Sequence, residues 1–253
     1  MDEAISQQFD ERKVCVIVPT YNNGATVTGV LEDVLAYTAN VILVIDGSTD
    51  DTKERVATLG DKVDVVEHER NRGKGKALLS GFRRAAERGF TYAVTIDSDG
   101  QHFASDLPQF LSACSENTLV VGSRNLNEEN MPGGNTFANR FSNFWFALQT
   151  WRRLPDTQTG YRLYPVAFAS RSRWITSRYE AELELLVMAA WHGIRLVSVP
   201  VKVYYPPAGE RVTHFRLFAD FARISVLNTV LCFLAVVYGW PMMLYHKITR
   251  HGK

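Results

Sequence analysis

The chain has 253 residues and a mass of 28.6 kDa, with 46% hydrophobic and 22% charged side chains and 28 Lys+Arg set against 27 Asp+Glu. A chain this apolar repays its ordering entropy, which excludes disorder. A formal charge of +1 gives no overall basic field, which excludes a general nucleic-acid or polyanion binder and leaves anionic ligands to local clusters.

Residues 1–12 are polar, with Asp2, Glu3, Asp10 and Glu11, and read as a polar tail. They lack the basic start and apolar run of a signal peptide, so the expectation is that the bulk of the chain stays in the cytosol. The cysteines agree with a reducing compartment, because Cys15, Cys114 and Cys232 are odd in number, far apart and embedded in apolar stretches.

Residues 14–19 form a continuous apolar run of buried-strand length closed by Pro19. A helical pattern opens at Thr26, with Val27, Val30, Leu31, Val34 and Leu35 on one face. Residues 41–45 read as a second buried strand running into Asp46-Gly47-Ser48-Thr49-Asp50-Asp51, a polar turn suited to capping the next helix. A third strand is expected over 63–66, a helix over 77–87, a fourth strand over 92–96 and a fifth over 119–122. This alternation predicts an α/β fold with a mostly parallel sheet, in which ligands bind at the carboxyl ends of the strands. Those ends carry Thr20-Tyr21-Asn22, Asp46, the loop 71–76, Asp97 with Asp99, and Arg124.

Beyond Arg124 comes a break at Met131-Pro132-Gly133-Gly134. Phe137, Phe141, Phe144, Trp145, Leu148 and Trp151 then recur at helical spacing with Arg140, Arg152 and Arg153 among them, a pattern that suits either a membrane surface or a core helix. Residues 180–191 read as a helix, 195–203 as an extended stretch and 209–215 as a loop. Residues 224–245 carry no formal charge, and as a helix would reach about 33 Å against a hydrocarbon core of about 30 Å. Gly239 and Pro241 predict that a straight helix stops near Trp240, and Asn228 and Thr229 weaken a spanning reading. Arg216 and Arg223 on one side, and Lys247, Arg250 and Lys253 on the other, leave the segment without an orientation by positive charge. The tail is expected to meet a membrane by spanning it or lying flat, with a buried core helix as the alternative.

Asp97 and Asp99 stand two residues apart after a strand, so both carboxylates can project to one side and suit Mg²⁺ or Mn²⁺ holding a diphosphate, although an Asp-rich turn explains the same residues. Arg70, Arg72, Lys74 and Lys76, with Gly73 and Gly75, precede a helix and could cradle an anion or simply form a solvated basic turn. They do not have Walker A spacing. Asp46 could accept hydrogen bonds from a base or ribose, cap a helix, or do both.

In order and spacing, residues 14–22, 46–52, 71–77 and 97–102 resemble the nucleotide-sugar domain of inverting family-two glycosyltransferases. Gly122-Ser123-Arg124, Asp156-Thr157-Gln158-Thr159-Gly160-Tyr161-Arg162 and Tyr179-Glu180-Ala181-Glu182-Leu183-Glu184 continue the likeness, which is greatest to the dolichyl-phosphate and bacterial polyprenyl-phosphate glycosyltransferase branch. The resemblance implies a GT-A type, Rossmann-like, mostly parallel sheet with helices on both faces, followed by membrane-associated C-terminal helices. It implies a catalytic domain over 13–206, divided into a nucleotide-sugar half (13–124) and an acceptor half (125–206), and an acceptor loop with apolar tail over 207–253.

The same resemblance implies that Pro19, Tyr21 and Asp46 line the nucleoside of a UDP- or GDP-sugar with Lys74 nearby. Asp97 would touch ribose or metal, Asp99 would bind the divalent ion with Gln101, and Arg124 would face the diphosphate or the acceptor phosphate. Arg140, Ser142 and Asn143 would meet an acceptor phosphate, Arg211 and His214 would lie in a loop closing over it, and Asp156 would sit beside the transferred sugar. Glu180, Glu182 and Tyr161 are candidates for reading sugar hydroxyls. Ile45 departs from the pattern, standing where many relatives place the first of two aspartates.

The acceptor decides what chemistry is needed. A lipid monophosphate is mostly anionic near neutrality, its second pKa being about 6, and needs arginines more than a base. A sugar or lipid hydroxyl needs a carboxylate to take its proton, and Asp156 is the residue nominated. The reading that follows is a sugar transferase acting on a polyprenyl phosphate at the cytoplasmic face of the cell membrane. The alternatives are transfer to a lipid or glycan hydroxyl, a sugar nucleotidyltransferase, and a non-catalytic nucleotide-binding scaffold.

Overall fold

The computed structural model describes residues 2–125, 133–172, 175–205 and 217–251, without the side chains of 133–137, 217–222, 250 and 251. The chain begins with α1 (Glu3–Glu11), β1 (Val14–Thr20), α2 (Gly24–Leu35), β2 (Val41–Asp46), α3 (Thr52–Ala57), β3 (Asp64–His68) and α4 (Lys74–Glu87). It continues through β4 (Tyr92–Thr95), α5 (Leu107–Ala113), β5 (Thr118–Arg124), α6 (Gly133–Thr150), β6 (Arg162–Pro165) and α7 (Val166–Ala169). It ends with α8 (Glu180–Trp191), β7 (Arg195–Val201), α9 (Leu217–Leu234) and α10 (Trp240–His251).

The strands form one sheet in the order β3-β2-β1-β4-β6-β5-β7. All neighbours run parallel except β6, which is antiparallel to both β4 and β5. Burial on both faces explains the unbroken apolar runs of β1 and β2. Cys15 and Ile17 of β1 join the core built with α4 and α8, while Val14, Val16 and Val18 join the opposite core with α2 and α5. Strand order reverses at β1 and β4, and the crevice at such a reversal is where open α/β sheets place ligands.

Three local expectations change. The polar N-terminal tail contains a helix, capped by Asp2 Oδ1 accepting the Ile5 N–H at 3.2 Å and pinned by Phe9, which is fully buried. Its polarity hid an amphipathic element with few apolar anchors. Helix α4 starts at Lys74 rather than Ala77, so the basic loop runs directly into its first turn. The C-terminal helix does not stop near Trp240. Residues Ala235–Gly239 form a π-helical turn that joins α9 to α10. A wider turn shifts the carbonyl ladder just where Pro241 lacks an N–H, so the proline is accommodated instead of ending the helix.

Candidate active site

Asp46 ends β2 and its carboxylate is already engaged by the protein. Oδ1 lies 2.7 Å from His68 Nδ1 and accepts the Arg72 N–H at 2.9 Å, while Oδ2 accepts the Gly73 N–H at 2.8 Å. His68 Nε2 lies 2.9 Å from Ser80 Oγ. Asp46 is 3% exposed, so the expected nucleoside contact by its carboxylate is corrected: it anchors the basic loop at the start of α4. Gly73, with φ of +91°, sits where a Cβ would come 2.5 Å from the Ser177 carbonyl, and only glycine fits both constraints. Pro19 lies buried within β1, and Tyr21, half-buried, follows the strand at the same edge.

That anchoring aims Lys74 into the crevice. Its Nζ lies 2.7 Å from Asp97 Oδ1 and 3.0 Å from Glu182 Oε2. Burial opposes the ammonium's charge, but Asp97 and Glu182 outweigh it and raise the lysine pKa above its ordinary value. Burial likewise opposes ionisation of Asp97, and the Lys74 ammonium nevertheless holds that carboxyl below the usual range. Gly160 lies beneath this triad: a Cβ there would be 2.8 Å from Glu182 Oε1, 2.9 Å from Lys74 Nζ and 3.1 Å from Asp97 Oδ2. Sequence reasoning quoted Gly160 within a motif without giving it a role; only the folded chain brings it under Lys74.

Asp99 follows in a turn made by Gly100 (φ +75°), and its Oδ1 accepts the Gln101 N–H at 3.0 Å. Burial first, and the neighbouring Asp97 charge second, push Asp99 up to about 6. Among the described residues Asp99 has no ion-pair partner, so this is a carboxylate in want of positive charge. The described residues contain no group of three or more His, Cys, Asp or Glu able to hold an ion. Asp97, Asp99 and Gln101 could hold a divalent cation only with further oxygens, such as those of a diphosphate, completing its set.

His102 packs tilted against Tyr161 with ring centroids 5.1 Å apart, and its buried Nδ1 has no hydrogen-bond partner among the described residues. Burial pushes its imidazole down to about 4, so it is neutral at pH 7. Tyr161 is fully buried and donates its hydroxyl to the Phe103 carbonyl at 3.1 Å, which corrects its candidacy for reading a sugar.

Beyond His102, Arg124 and Asp156 form a bidentate pair, Nε to Oδ2 at 2.6 Å and Nη2 to Oδ1 at 3.0 Å. Asp156 is fully buried and also accepts from Asn139 Nδ2 (2.6 Å) and the N–H groups of Gln158 (2.9 Å), Thr159 (3.3 Å) and Arg124 (3.3 Å). Burial raises the cost of its charge, but the Arg124 contacts prevail and keep its pKa below the usual carboxylate value. A carboxylate held this way is a poor proton acceptor, which weighs against the nominated base role.

Ser142 and Asn143 do not stand ready for an acceptor phosphate. Ser142 Oγ lies 2.7 Å from Thr157 Oγ1, and Asn143 Oδ1 accepts the Thr157 N–H at 3.0 Å while its Nδ2 donates to the Pro155 carbonyl at 2.8 Å. These side chains fasten α6 to the loop carrying Asp156; Arg140, on the same helix, is exposed. Arg211 and His214 lie outside the described residues.

Two further groups complete the frame. Arg162, fully buried on β6, donates to the Glu182 carbonyl at 2.6 Å and the Thr157 carbonyl at 2.9 Å. Glu184 accepts the N–H groups of Ile175 (2.7 Å) and Thr176 (2.9 Å), holding the segment whose Ser177 carbonyl lies against Gly73. A lone arginine in a short strand and a glutamate in an apolar helix gave no local signal of these roles.

A reversal-point crevice with a buried lysine, an Asp-x-Asp turn and an arginine belongs to the GT-A class of glycosyltransferases. The chain belongs to glycosyl transferase family 2, whose model matches residues 15–179. Among curated relatives, the UDP-N-acetylglucosamine–dolichyl-phosphate N-acetylglucosaminyltransferase of Methanococcus voltae is 29% identical, over 77% of this chain and 87% of that one. The undecaprenyl-phosphate mannosyltransferase of Micrococcus luteus is 29% identical, over 78% and 86%. The fold is that of glucosyl-3-phosphoglycerate synthase from Mycobacterium tuberculosis, solved with Mn²⁺, UDP and phosphoglyceric acid, at a TM-score of 0.68 and 19% identity over 91% of this chain and 82% of that one.

Proposed function

We propose that this glycosyltransferase moves a sugar, with inversion, from a UDP- or GDP-sugar to a polyprenyl phosphate at the cytoplasmic membrane surface. The observation that carries the choice of acceptor is the saturation of Asp156. Asp97 and Glu182 are paired with Lys74, Asp156 with Arg124, and Asp99 is the carboxylate open to a cation. None of these four carboxylates is then spare to deprotonate a hydroxyl, and a phosphate acceptor needs none. The two curated relatives carry dolichyl phosphate and undecaprenyl phosphate in their names, which supports the same reading.

In this reading the nucleoside lies against Pro19 and Tyr21, with the half 13–124 holding the donor and the half 125–206 the acceptor. Asp97 fixes Lys74 and meets the ribose or metal. Asp99, with Asp97 and Gln101, would hold Mg²⁺ or Mn²⁺, which supplies positive charge to the departing diphosphate. An acceptor phosphate oxygen forms the new bond to the anomeric carbon from the face opposite the nucleotide. The bond from that carbon to the diphosphate oxygen breaks, and its electron pair leaves with the diphosphate. Lys74, preorganised by its two carboxylates, is placed to meet that growing charge. Arg124 is held for the diphosphate or the incoming phosphate, and Arg140, exposed on α6, is kept for the acceptor phosphate. Glu182 Oε1, buried with no hydrogen-bond partner among the described residues, is an acceptor for a sugar hydroxyl.

The test is incubation of the purified protein with UDP- and GDP-sugars, Mn²⁺ and undecaprenyl phosphate. The expected product is a lipid-linked monosaccharide with stoichiometric nucleoside diphosphate. Transfer to a hydroxyl acceptor with none to the lipid phosphate overturns the proposal.

A further inference from the structure

The C-terminal helix is apolar on two opposite sides, and among the described residues only one of them is packed against the rest of the protein. On the inner side Leu227, Leu231 and Ala235 are at most 4% exposed and join the core built with α8. Gly239 lies so close to Trp191 that a Cβ would come 2.3 Å from the indole. Polar staples reinforce the contact: Gln149 Nε2 donates to Asn228 Oδ1 at 3.1 Å, and the indole N–H groups of Trp191 and Trp240 both donate to the Gln149 carbonyl, at 2.9 and 3.2 Å. The outer side carries Val226, Val230, Phe233, Val237, Leu244 and Ile248, between 39% and 73% exposed and spaced by threes, fours and one seven, so that they form one stripe. A second exposed group, Phe144 and Leu148 on α6 and Trp151 just after it, meets the stripe where Trp151 stacks on Trp240 with centroids 5.1 Å apart.

We propose that this double stripe is a monotopic docking face for an anionic lipid bilayer, with the helix lying in the interface and not crossing it. Spanning is incompatible with the inner contacts. The helix is bound along α8, whose first turn carries Glu182 against Lys74, so drawing it through hydrocarbon would take a charged site with it. The surrounding charge selects the occupant. Residues 133–155 and 221–253 contain no Asp or Glu but seven Lys or Arg, in a chain whose 28 Lys+Arg and 27 Asp+Glu balance only overall. Pairing with a second copy would set these cations against one another, whereas an anionic leaflet neutralises them. Phenylalanine and tryptophan among aliphatic residues, with arginine and lysine in the same segments, match the headgroup boundary. The purpose of such a face rests on the lipid-phosphate acceptor proposed above; its geometry does not.

The experiment is co-flotation of the full chain with vesicles of phosphatidylcholine, with and without phosphatidylglycerol and free of polyprenyl phosphate, so that binding is read without catalysis. The expected result is flotation with the anionic vesicles and release by alkaline carbonate. The double variant F233D/V237D and, separately, F144D should lose flotation while still glycosylating a water-soluble short-chain polyprenyl phosphate. Carbonate-resistant retention would show a spanning helix. Failure to float, with a dimer in solution that F233D/V237D dissociates, would show a seam between copies. Either outcome overturns the proposal. Flotation without any transferase activity would leave this face standing and remove the acceptor reading instead.

Discussion

Arg124 at the end of β5 and Asp156 in the loop before β6 grip each other through two parallel hydrogen bonds of 2.6 and 3.0 Å, with the carboxylate fully buried. The pair joins the end of β5 to the loop before β6. It holds the Arg124 guanidinium in place and keeps the Asp156 carboxyl below the usual range, which weighs against a role as proton acceptor.

Replacing Asp156 with Asn should therefore cost stability as well as activity. Breaking a buried pair from one side leaves the other charge uncompensated, a loss of about 3–5 kcal/mol that thermal denaturation would register. Because the folded pKa is depressed, the stabilisation is complete above the unfolded value of about 3.9 and is lost as pH falls through the folded one. The gap in melting temperature between wild type and variant should thus close below about pH 4. A residual variant activity that keeps the wild-type pH profile would agree; loss of one limb of the profile with unchanged stability would restore Asp156 as a base.

Lys74→Met should leave Asp97 and Glu182 close together with no cation between them. The expected result is at least a tenfold loss of donor affinity with a destabilisation of about 3 kcal/mol or more. Adding Glu182→Gln should recover part of the stability and none of the donor affinity, measured by calorimetry with the nucleoside diphosphate.

Gly160→Ala tests how closely the floor of the site is fitted. The added methyl would crowd Glu182, Lys74 and Asp97 at 2.8–3.1 Å. Overpacking of this kind costs about 1–3 kcal/mol, and kcat/KM for the donor should fall by tenfold or more as Lys74 is displaced. An unchanged donor KM would show that the triad has slack.

Mn²⁺ with a nucleoside diphosphate should raise the melting temperature of the wild type, and Asp99→Ala should abolish that rise while leaving the metal-free melting temperature nearly unchanged. Binding to the folded state alone stabilises by RT ln(1 + [L]/Kd), about 2.7 kcal/mol at a hundredfold excess over Kd. Equal stabilisation of both proteins would take Asp99 out of the metal site.

Phe9→Ala should destabilise the protein by about 3–5 kcal/mol, as expected for a fully buried ring. A change under about 1 kcal/mol would show that α1 is an appendage.

Strands β1, β2 and β4 and the crevice were legible because burial inside a parallel sheet writes itself as uninterrupted apolar runs such as residues 41–45, with polar clusters at their carboxyl ends. Strand β6 was not, since its four residues include the buried Arg162 and the helix-breaking Pro165, and no pattern marks them. The division of labour among aspartates was hidden for another reason. Asp46, Asp97 and Asp156 look alike in sequence, and their roles are set by partners 22, 23 and 32 residues away (His68, Lys74 and Arg124). Ser142 and Asn143 show the same limit: a hydroxyl and an amide on a helix fit a phosphate or a neighbouring loop equally, until the position of Thr157 decides.

The antiparallel insertion of β6 between β4 and β5 sets the order in which the molecule can be assembled. Strands β3, β2, β1 and β4 can pair as soon as residue 95 has left the ribosome, but β4 then presents a bare edge until residues 162–165 arrive to cover it. β5 has no partner at all before that moment. The turn holding Asp97 and Asp99 thus matures late in synthesis, and a truncation between residues 125 and 160 should yield an aggregating fragment in place of a nucleotide-binding half.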